Sequence, residues 1–344
     1  MTDSPLIEVD PTGREWRALL GELPDATAFH HPGWASVLAG AYGYRPIVLA
    51  VEDGSGRLAA GAPLARVRRR GRPAWVSLPF SDHCPVLARD GGARRRLAEG
   101  LVAWGARAGA AVEVRGDVPS ADGWREDEIG VRHVLALDAG ADAIRAGMHA
   151  THRKRLRQAE RSGLTVRLGR SADDVADFYR LQVATRRRQG VPVQPRRFFD
   201  AIWRHVLAAG LGIVALAGPP GGRPVAGAVL LAWNGTLTVK FQASDEGAWR
   251  LRPNHLLYWE VIRWAIGSGQ RRLDFGRTEA AHATLQQWKD GWGAEAIPLT
   301  YARTGGPAPA AGGGRLAAAM APVIRRSPSF VCRGLGALLY RYAA

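Results

Sequence analysis

Two sets of short apolar runs recur at matching places along the chain. Pro46-Ile-Val-Leu-Ala-Val51 and Gly212-Ile-Val-Ala-Leu-Ala217 are β-like runs that predict strands. Each is followed by a related segment, Arg57-Leu-Ala-Ala-Gly-Ala-Pro-Leu64 in the first half and Arg223-Pro-Val-Ala-Gly-Ala-Val-Leu230 in the second. Arg, Ala-Gly-Ala and Leu stand at the same offsets in both, the signature of an internal repeat.

The parallel extends downstream. The first half predicts a strand at residues 75–78, a helix over 94–107 and a strand over 111–116. The second predicts a strand over 237–242, a helix over 254–267 and a strand over 272–276. Trp104, Gly109 and Gly116 align with Trp264, Gly269 and Gly276. Each half thus reads β-β-β-α-β, the core order of the GNAT acyltransferase fold. The expected class is α/β with mixed sheets, as tandem GNAT-like domains over 1–150 and 151–304, with a linker and helical tail over 305–344.

Helices are expected between the halves at 141–162, 172–189 and 196–209. The second has Ser171 as N-cap and Gly190 as stop. Val175, Phe178, Leu181 and Gln182 give it a stripe facing the core. The last strand is placed at 297–301. The stretch Gly305–Gly314 reads as a flexible linker. The Ala/Leu-rich tail beyond it carries arginines, so it either docks on its own domain or lies on a membrane surface.

Charge changes the picture. Lys plus Arg number 47 against 31 Asp plus Glu, a formal net charge of +16. A polyanionic partner fits this balance, and so does a plain compositional bias toward arginine. Only two cysteines occur, Cys84 and Cys332, without metal-ligand spacing. The N-terminus lacks a basic segment followed by an apolar one, so no signal peptide is read. No apolar stretch is long enough to span a bilayer. A cytoplasmic monomer is expected, possible contact with the inner face of the membrane being left to the tail.

Candidate chemistry centres on Trp288-Lys289-Asp-Gly-Trp292. Lys289 is one of three lysines, with Lys154 and Lys240, in a chain that otherwise uses arginine. A compact ammonium suits one developing oxyanion, whereas it also serves as an ordinary snorkelling side chain. Asp274 and Arg277 fall at the end of a predicted strand, where α/β folds place substrate contacts, or they form a structural ion pair. Asp82 and His83 follow a strand in Leu78-Pro-Phe-Ser-Asp-His-Cys-Pro85, as part of an acceptor cleft or as a polar turn. Basic clusters at 152–157 and 185–190 could meet phosphate or only solvent. In acyl-CoA-dependent GNAT enzymes a Gly-rich loop before the central helix cradles the pyrophosphate with backbone N–H groups. Here that loop is Arg250-Leu-Arg-Pro-Asn-His255. Pro253 lacks the donor, and His255 puts a side chain where glycine would be.

Together these motifs resemble the Fem family (FemA, FemB, FemX) and FemAB-related GNAT-like proteins. The matching residues are the Leu78–Asp82 loop, the basic helix around Lys154, Phe178–Gly190, Pro253-Asn-His255 with its helix, Asp274-Phe-Gly-Arg-Thr278 and Trp288–Gly293. The resemblance implies transfer of an aminoacyl group from aminoacyl-tRNA to an amine of a peptidoglycan precursor or related peptide, with no cofactor and no metal. It implies that Lys289 stabilises the tetrahedral intermediate and that Arg188 holds acceptor phosphate. Asn254, Trp288 and Trp292 are further candidates for substrate contact, the two tryptophans helping to exclude water from Lys289. The long coiled-coil insertion of FemA is absent from the sequence, and tryptophan replaces the usual phenylalanine before Lys289. Two rival readings remain. One is an N-acyltransferase using acyl-CoA in envelope polysaccharide or natural-product synthesis. The other is a non-catalytic RNA- or envelope-binding protein.

Overall fold

The protein is described by a computed structural model covering residues 6–69, 71–119, 121–305 and 314–340. Two compact units divide it. Unit 1 runs to Gly130 and regains the chain from Pro298. Unit 2 takes Val131–Ile297 and the C-terminal tail helices. The two together form tandem GNAT-like α/β units with mixed sheets.

Unit 1 holds β1 (Ile7–Val9), α1 (Arg14–Glu22), α2 (Pro32–Tyr42), β2 (Pro46–Glu52), β3 (Leu58–Arg69), β4 (Arg72–Val76), β5 (Leu87–Ala88), α3 (Gly91–Arg107) and β6 (Ala111–Val114). Its strands β1, β2, β3 and β4 pair antiparallel in that order, and β4 pairs parallel with β6. Leu49, Val51, Ala60, Leu64, Leu97, Leu101, Val112 and Val114 form its core.

Unit 2 begins within β7 (Trp124–Ala136). It continues with α4 (Gly140–Gly147), α5 (Ala150–Glu160), β8 (Thr165–Gly169), α6 (Ala172–Gln189) and α7 (Arg196–Ile202). Then follow β9 (Gly212–Gly218), β10 (Ala226–Trp233), β11 (Thr236–Ser244), α8 (Pro253–Gly267), β12 (Arg272–Thr278) and α9 (Ala283–Asp290). Its sheet order is β7-β12-β11-β10-β9-β8. Pairing is antiparallel for β8/β9, β9/β10 and β10/β11, and parallel for β11/β12. The last strand, β13 (Glu295–Thr304), passes into unit 1 and pairs there with β6 through Ala302 and Arg303. Tail helices α10 (Gly314–Arg326) and α11 (Ser329–Leu339) close the chain.

The internal repeat has a packing cause. In unit 1 a Cβ on Gly61 would meet the Trp16 ring of α1 at 2.8 Å. In unit 2 a Cβ on Gly227 would come within 3.2 Å of the Phe178 ring of α6. Each Ala-Gly-Ala segment therefore keeps glycine where a helix of its own unit presses an aromatic ring on the sheet. Gly109 and Gly269 likewise end the equivalent helices, both with positive φ (59° and 76°).

Some boundaries moved. The helix expected over 141–162 is broken at Met148, whose backbone is extended and whose side chain is buried. His149 N–H donates instead to Gly291 O at 3.0 Å. The helix expected over 196–209 is α-helical only to Ile202 and finishes in one π turn, Trp203–Leu207. The strand expected at 75–78 stops at Val76, because Leu78 turns to φ 50°. The linker expected from Gly305 lies at 306–313 outside the described residues. The tail docks on α6, as one of the two expectations had it: Arg186 donates to Tyr340 Oη at 2.7 Å.

Candidate active site

In unit 2 the parallel ladder between β11 and β12 is short. It pairs Thr236 with Arg272, Leu237 with Leu273 and Thr238 with Asp274, whereas β11 runs on to Ser244 and β12 to Thr278. On its other side β12 slips register against β7 between Asp274 and Arg277. The bulge is made by Gly276, whose φ of 71° lies in the left-handed region that favours glycine. Both of its polar backbone groups, lost to the sheet, are taken up by side chains. Gly276 N–H donates to Asp274 Oδ1 at 2.8 Å, and Lys289 Nζ donates to Gly276 O at 2.7 Å. Buried backbone groups require such partners, so the bulge fixes Asp274 and Lys289 together.

Lys289 is 4% exposed, which contradicts a snorkelling surface role. It lies in the last turn of α9, and a cation is favoured at a helix C-terminus. Strand β7 adds two neighbours. Arg132 Nη1 donates to Asp274 Oδ2 at 2.8 Å. His133 is buried and its Nε2 lies 3.0 Å from Asp290 Oδ1. Burial, then the Lys289 ammonium, push the His133 pKa down against the opposing pull of Asp290 and Asp274. Lys289, Asp290 and Asp274 thus all act on this imidazole, and Asp274 is in turn paired with Arg132.

An aromatic wall stands beside this charged set. Tyr258 stacks on Phe275 with centroids 5.4 Å apart, and Trp288 lies edge-on to Tyr258 at 5.0 Å. Trp288 and Trp292 are 5.9 Å apart. His152 and His255 lie 5.0 Å apart and both meet the two tryptophans. His152 Nε2 donates to Trp288 O at 2.9 Å, and a Cβ on Gly291 would strike the His152 ring at 2.2 Å. The glycine in the Trp-Lys-Asp-Gly-Trp motif therefore makes room for His152. Burial chiefly, with His152, Arg155 and Arg252 adding repulsion, lowers the His255 pKa to about 3. Burial pushes the Tyr258 phenol up, and its Oη donates to Gln242 Oε1 at 2.9 Å.

Among the described residues of this region, the buried atoms His255 Nε2, Trp292 Nε1, Thr278 Oγ1 and both ring nitrogens of His133 make no hydrogen bond. Asn254 Oδ1, on the first turn of α8, does not either. Unpaired buried polar atoms are costly and concentrate at functional sites. The loop before α8 is not a backbone cradle. Residues 246–251 form a 3₁₀ turn, Arg252 is left-handed at φ 58°, Pro253 opens the helix, and His255 N–H donates to Arg252 O at 3.0 Å.

Of the residues singled out in the sequence, Lys289, Asp274, Trp288 and Trp292 come together, with Asn254 beside His255. Arg277 does not join them: it is exposed and pairs with Glu279 at 3.2 Å. The proposed Asp274–Arg277 ion pair is replaced by Asp274–Arg132. Arg188 sits at the end of α6, donating to Ser244 O at 2.9 Å, with its guanidinium 5.0 Å from the Trp249 centroid. Asp82 and His83 belong to unit 1, where the Asp82 carbonyl accepts from Tyr301 Oη at 3.0 Å and the His83 carbonyl from Thr27 Oγ1 at 3.2 Å. Arg132 and His133 have no counterpart among the residues singled out in the sequence; their one local signal is the apolar run Val131-Arg-His-Val-Leu-Ala-Leu137 that marks a strand. His152 and His255 stand there only as part of a basic cluster and of the altered loop, not as members of one site.

Residues 146–290 match a family model described as an acetyltransferase (GNAT) domain. No curated protein sequence matches. A crystal structure of FemX superposes with a TM-score of 0.69 at 15% identity, covering 86% of this chain and 96% of that one. The C-terminal domain of a putative lysylphosphatidylglycerol synthetase from Agrobacterium fabrum gives 0.58 at 16% identity, covering 85% and 90%. L-PGS from Bacillus licheniformis gives 0.58 at 13% identity, covering 92% and 97%. At such identities the likeness speaks for the fold. The Lys289 cluster thus lies within the stretch that matches the GNAT domain model, in a chain whose fold is similar to that of FemX.

Proposed function

We propose that the chain transfers an aminoacyl group from aminoacyl-tRNA to an amine of a peptidoglycan precursor or related peptide, and that unit 2 carries out the chemistry. The observation that carries this reading is the buried Lys289 ammonium, locked by Gly276 at the point where β11 and β12 cease to pair. An acceptor amine attacks the ester carbonyl, and a C–N bond forms. The negative charge on the carbonyl oxygen is met by the ammonium in a site from which Trp288 and Trp292 exclude water. Collapse breaks the C–O bond, and the ribose hydroxyl leaves with the proton given up by the amine. The basic surface would meet the acceptor stem through phosphates without reading bases.

The loop at Arg250–His255 argues for this donor over acyl-CoA, since Pro253 has no N–H and that of His255 is already engaged. Asn254, Trp288 and Trp292 are assigned to substrate contact and Arg188 to acceptor phosphate. The test is transfer from radiolabelled aminoacyl-tRNA to a peptide amine. RNase should abolish it, and rising salt should weaken it steeply. Transfer from acyl-CoA alone, unaffected by RNase, together with calorimetric binding of coenzyme A, would overturn the donor. Lack of turnover with either donor, alongside tight RNA binding, would favour the non-catalytic reading.

A further inference from the structure

We propose that the outward face of the C-terminal helices is a landing surface for an anionic lipid membrane. This goes beyond the donor and acceptor assigned above.

The inner face of the tail is committed to unit 2. Ile324 and Cys332 are fully buried, and the Cys332 thiol lies 3.5 Å from Val191 O. A Cβ on Gly336 would strike Val193 O at 1.7 Å, so α11 rests directly on backbone. Tyr340 Oη donates to Pro192 O at 3.2 Å. These contacts fix which side of α11 faces out.

The outward stripe is Phe330, Arg333, Gly334, Ala337 and Leu338, all exposed. Their spacing of i, i+3, i+4, i+7 and i+8 is one face of a helix. Leu338 is 69% exposed, Phe330 63% and Val323 of α10 57%. Among the described large apolar residues these three are the most exposed, ahead of Trp249 at 46%, so the tail concentrates exposed apolar surface.

Charge identifies the occupant. No Asp or Glu follows Glu295 in the sequence, whereas Arg325, Arg326 and Arg333 all lie in the described tail. An apolar stripe edged by arginines without any acid suits insertion at the headgroup level of an anionic bilayer, each arginine near the surface adding attraction. RNA would use the arginines but give Leu338 and Val323 nothing to contact, since its affinity rests on phosphate contacts and ring stacking. No described helix is long and apolar enough to cross a membrane, so the contact is peripheral.

The experiment is co-sedimentation of the full chain with vesicles of phosphatidylcholine alone and of phosphatidylcholine with phosphatidylglycerol. Partition should require phosphatidylglycerol and weaken with salt. Phe330→Asp with Leu338→Asp should lower it at least ~10-fold, with unchanged circular dichroism. Arg326→Gln and Arg333→Gln should each lower it roughly fivefold. Wild-type protein that ignores phosphatidylglycerol, or a double Asp variant that binds as wild type, would overturn the proposal. So would a wild-type dimer, seen by light scattering, that the double variant dissolves while vesicle binding is absent. Lys289→Met should bind vesicles normally, and the double variant should still transfer to a water-soluble acceptor, so failure here is separable from failure of the catalytic reading.

Discussion

Units 1 and 2 share a strand order, yet they treat the end of their parallel strand pair in opposite ways. In unit 1 the β4/β6 ladder is carried on past Val76. Ser77 N–H donates to Glu113 O at 2.8 Å, and Arg115 N–H donates to Ser77 Oγ at 2.7 Å. The loop then returns: Cys84 N–H donates to Arg115 O, and Arg115 Nη1 donates to Ser81 O, both at 2.7 Å. In unit 2 the corresponding ladder stops at Thr238–Asp274, and aromatic rings and unpaired polar atoms follow. The alignment that pairs Gly116 with Gly276 also pairs the buried apolar Val114 with Asp274. One copy spends its polar groups on closing the sheet, and the other holds a charged pair at the same place. The two copies of the repeat thus differ most at the place where the proposed chemistry of unit 2 is assigned.

The largest effect expected is on stability, in unit 1. Burial raises the Glu113 pKa, but Arg69, Arg115 and Arg303 overcome this and hold it at about 2. Glu113→Ala leaves these arginines without their buried partner, at a cost of about 3–5 kcal/mol. A large fall in the urea midpoint is expected, with kcat intact in the molecules that remain folded. Loss of kcat in fully folded protein would place chemistry in unit 1.

Lys289→Met makes the reverse case in unit 2. Losing one oxyanion donor costs roughly 3–4 kcal/mol of transition-state stabilisation, a fall in kcat of about 10²–10³. KM should change less than kcat. Lys289→Arg should also be impaired, since a planar fork does not replace a point charge. Turnover within about threefold of wild type, far short of that range, would reduce Lys289 to a structural partner of Gly276.

Acid should weaken both units. Burial lowers His30 in unit 1 to about 4 and His255 in unit 2 to about 3. Below pH 6.5 the unfolded chain takes up protons that these folded imidazoles refuse, so stability falls with pH until the folded values are reached. At pH 5 the loss is about 2 kcal/mol for each imidazole. A urea midpoint that holds or rises between pH 7 and pH 5 would contradict this.

Gly276→Ala is the mildest change. A left-handed φ costs a non-glycine residue roughly 1–2 kcal/mol, and the bulge would shift both Asp274 and Lys289. Gly109→Ala, at the helix end of unit 1, should cost a similar amount of stability without lowering kcat. Equal kcat in both variants would show that the bulge does not position the lysine.

Much of the fold could be read from the chain because it rests on local signals. Ala-Gly-Ala at 60–62 and 226–228 marks where Trp16 and Phe178 press on the sheets. Ser171 and Gly190 bracket α6, with the Ser171–Asp174 capping box in place. Lys289 stood out because lysine is rare here. What could not be read was set by long-range pairing. Arg132 reaches Asp274 across strands far apart in sequence, so local spacing pointed to Arg277 instead. His152 and His255 each look ordinary within an arginine-rich helix and a proline turn. Only the fold brings their rings together against Trp288 and Trp292.

Whether the acyl donor reacts beside Lys289 in unit 2, and not at the closed end of unit 1, can be read by photo-crosslinking. A photoreactive aminoacyl ester on an acceptor-stem minihelix would be irradiated with the full chain, and the labelled peptides mapped by mass spectrometry. Label is expected on Asp274–Thr278 or Trp288–Trp292, suppressed by excess unlabelled aminoacyl-tRNA. Competable label confined to the Ser77–Pro85 loop of unit 1 would contradict it.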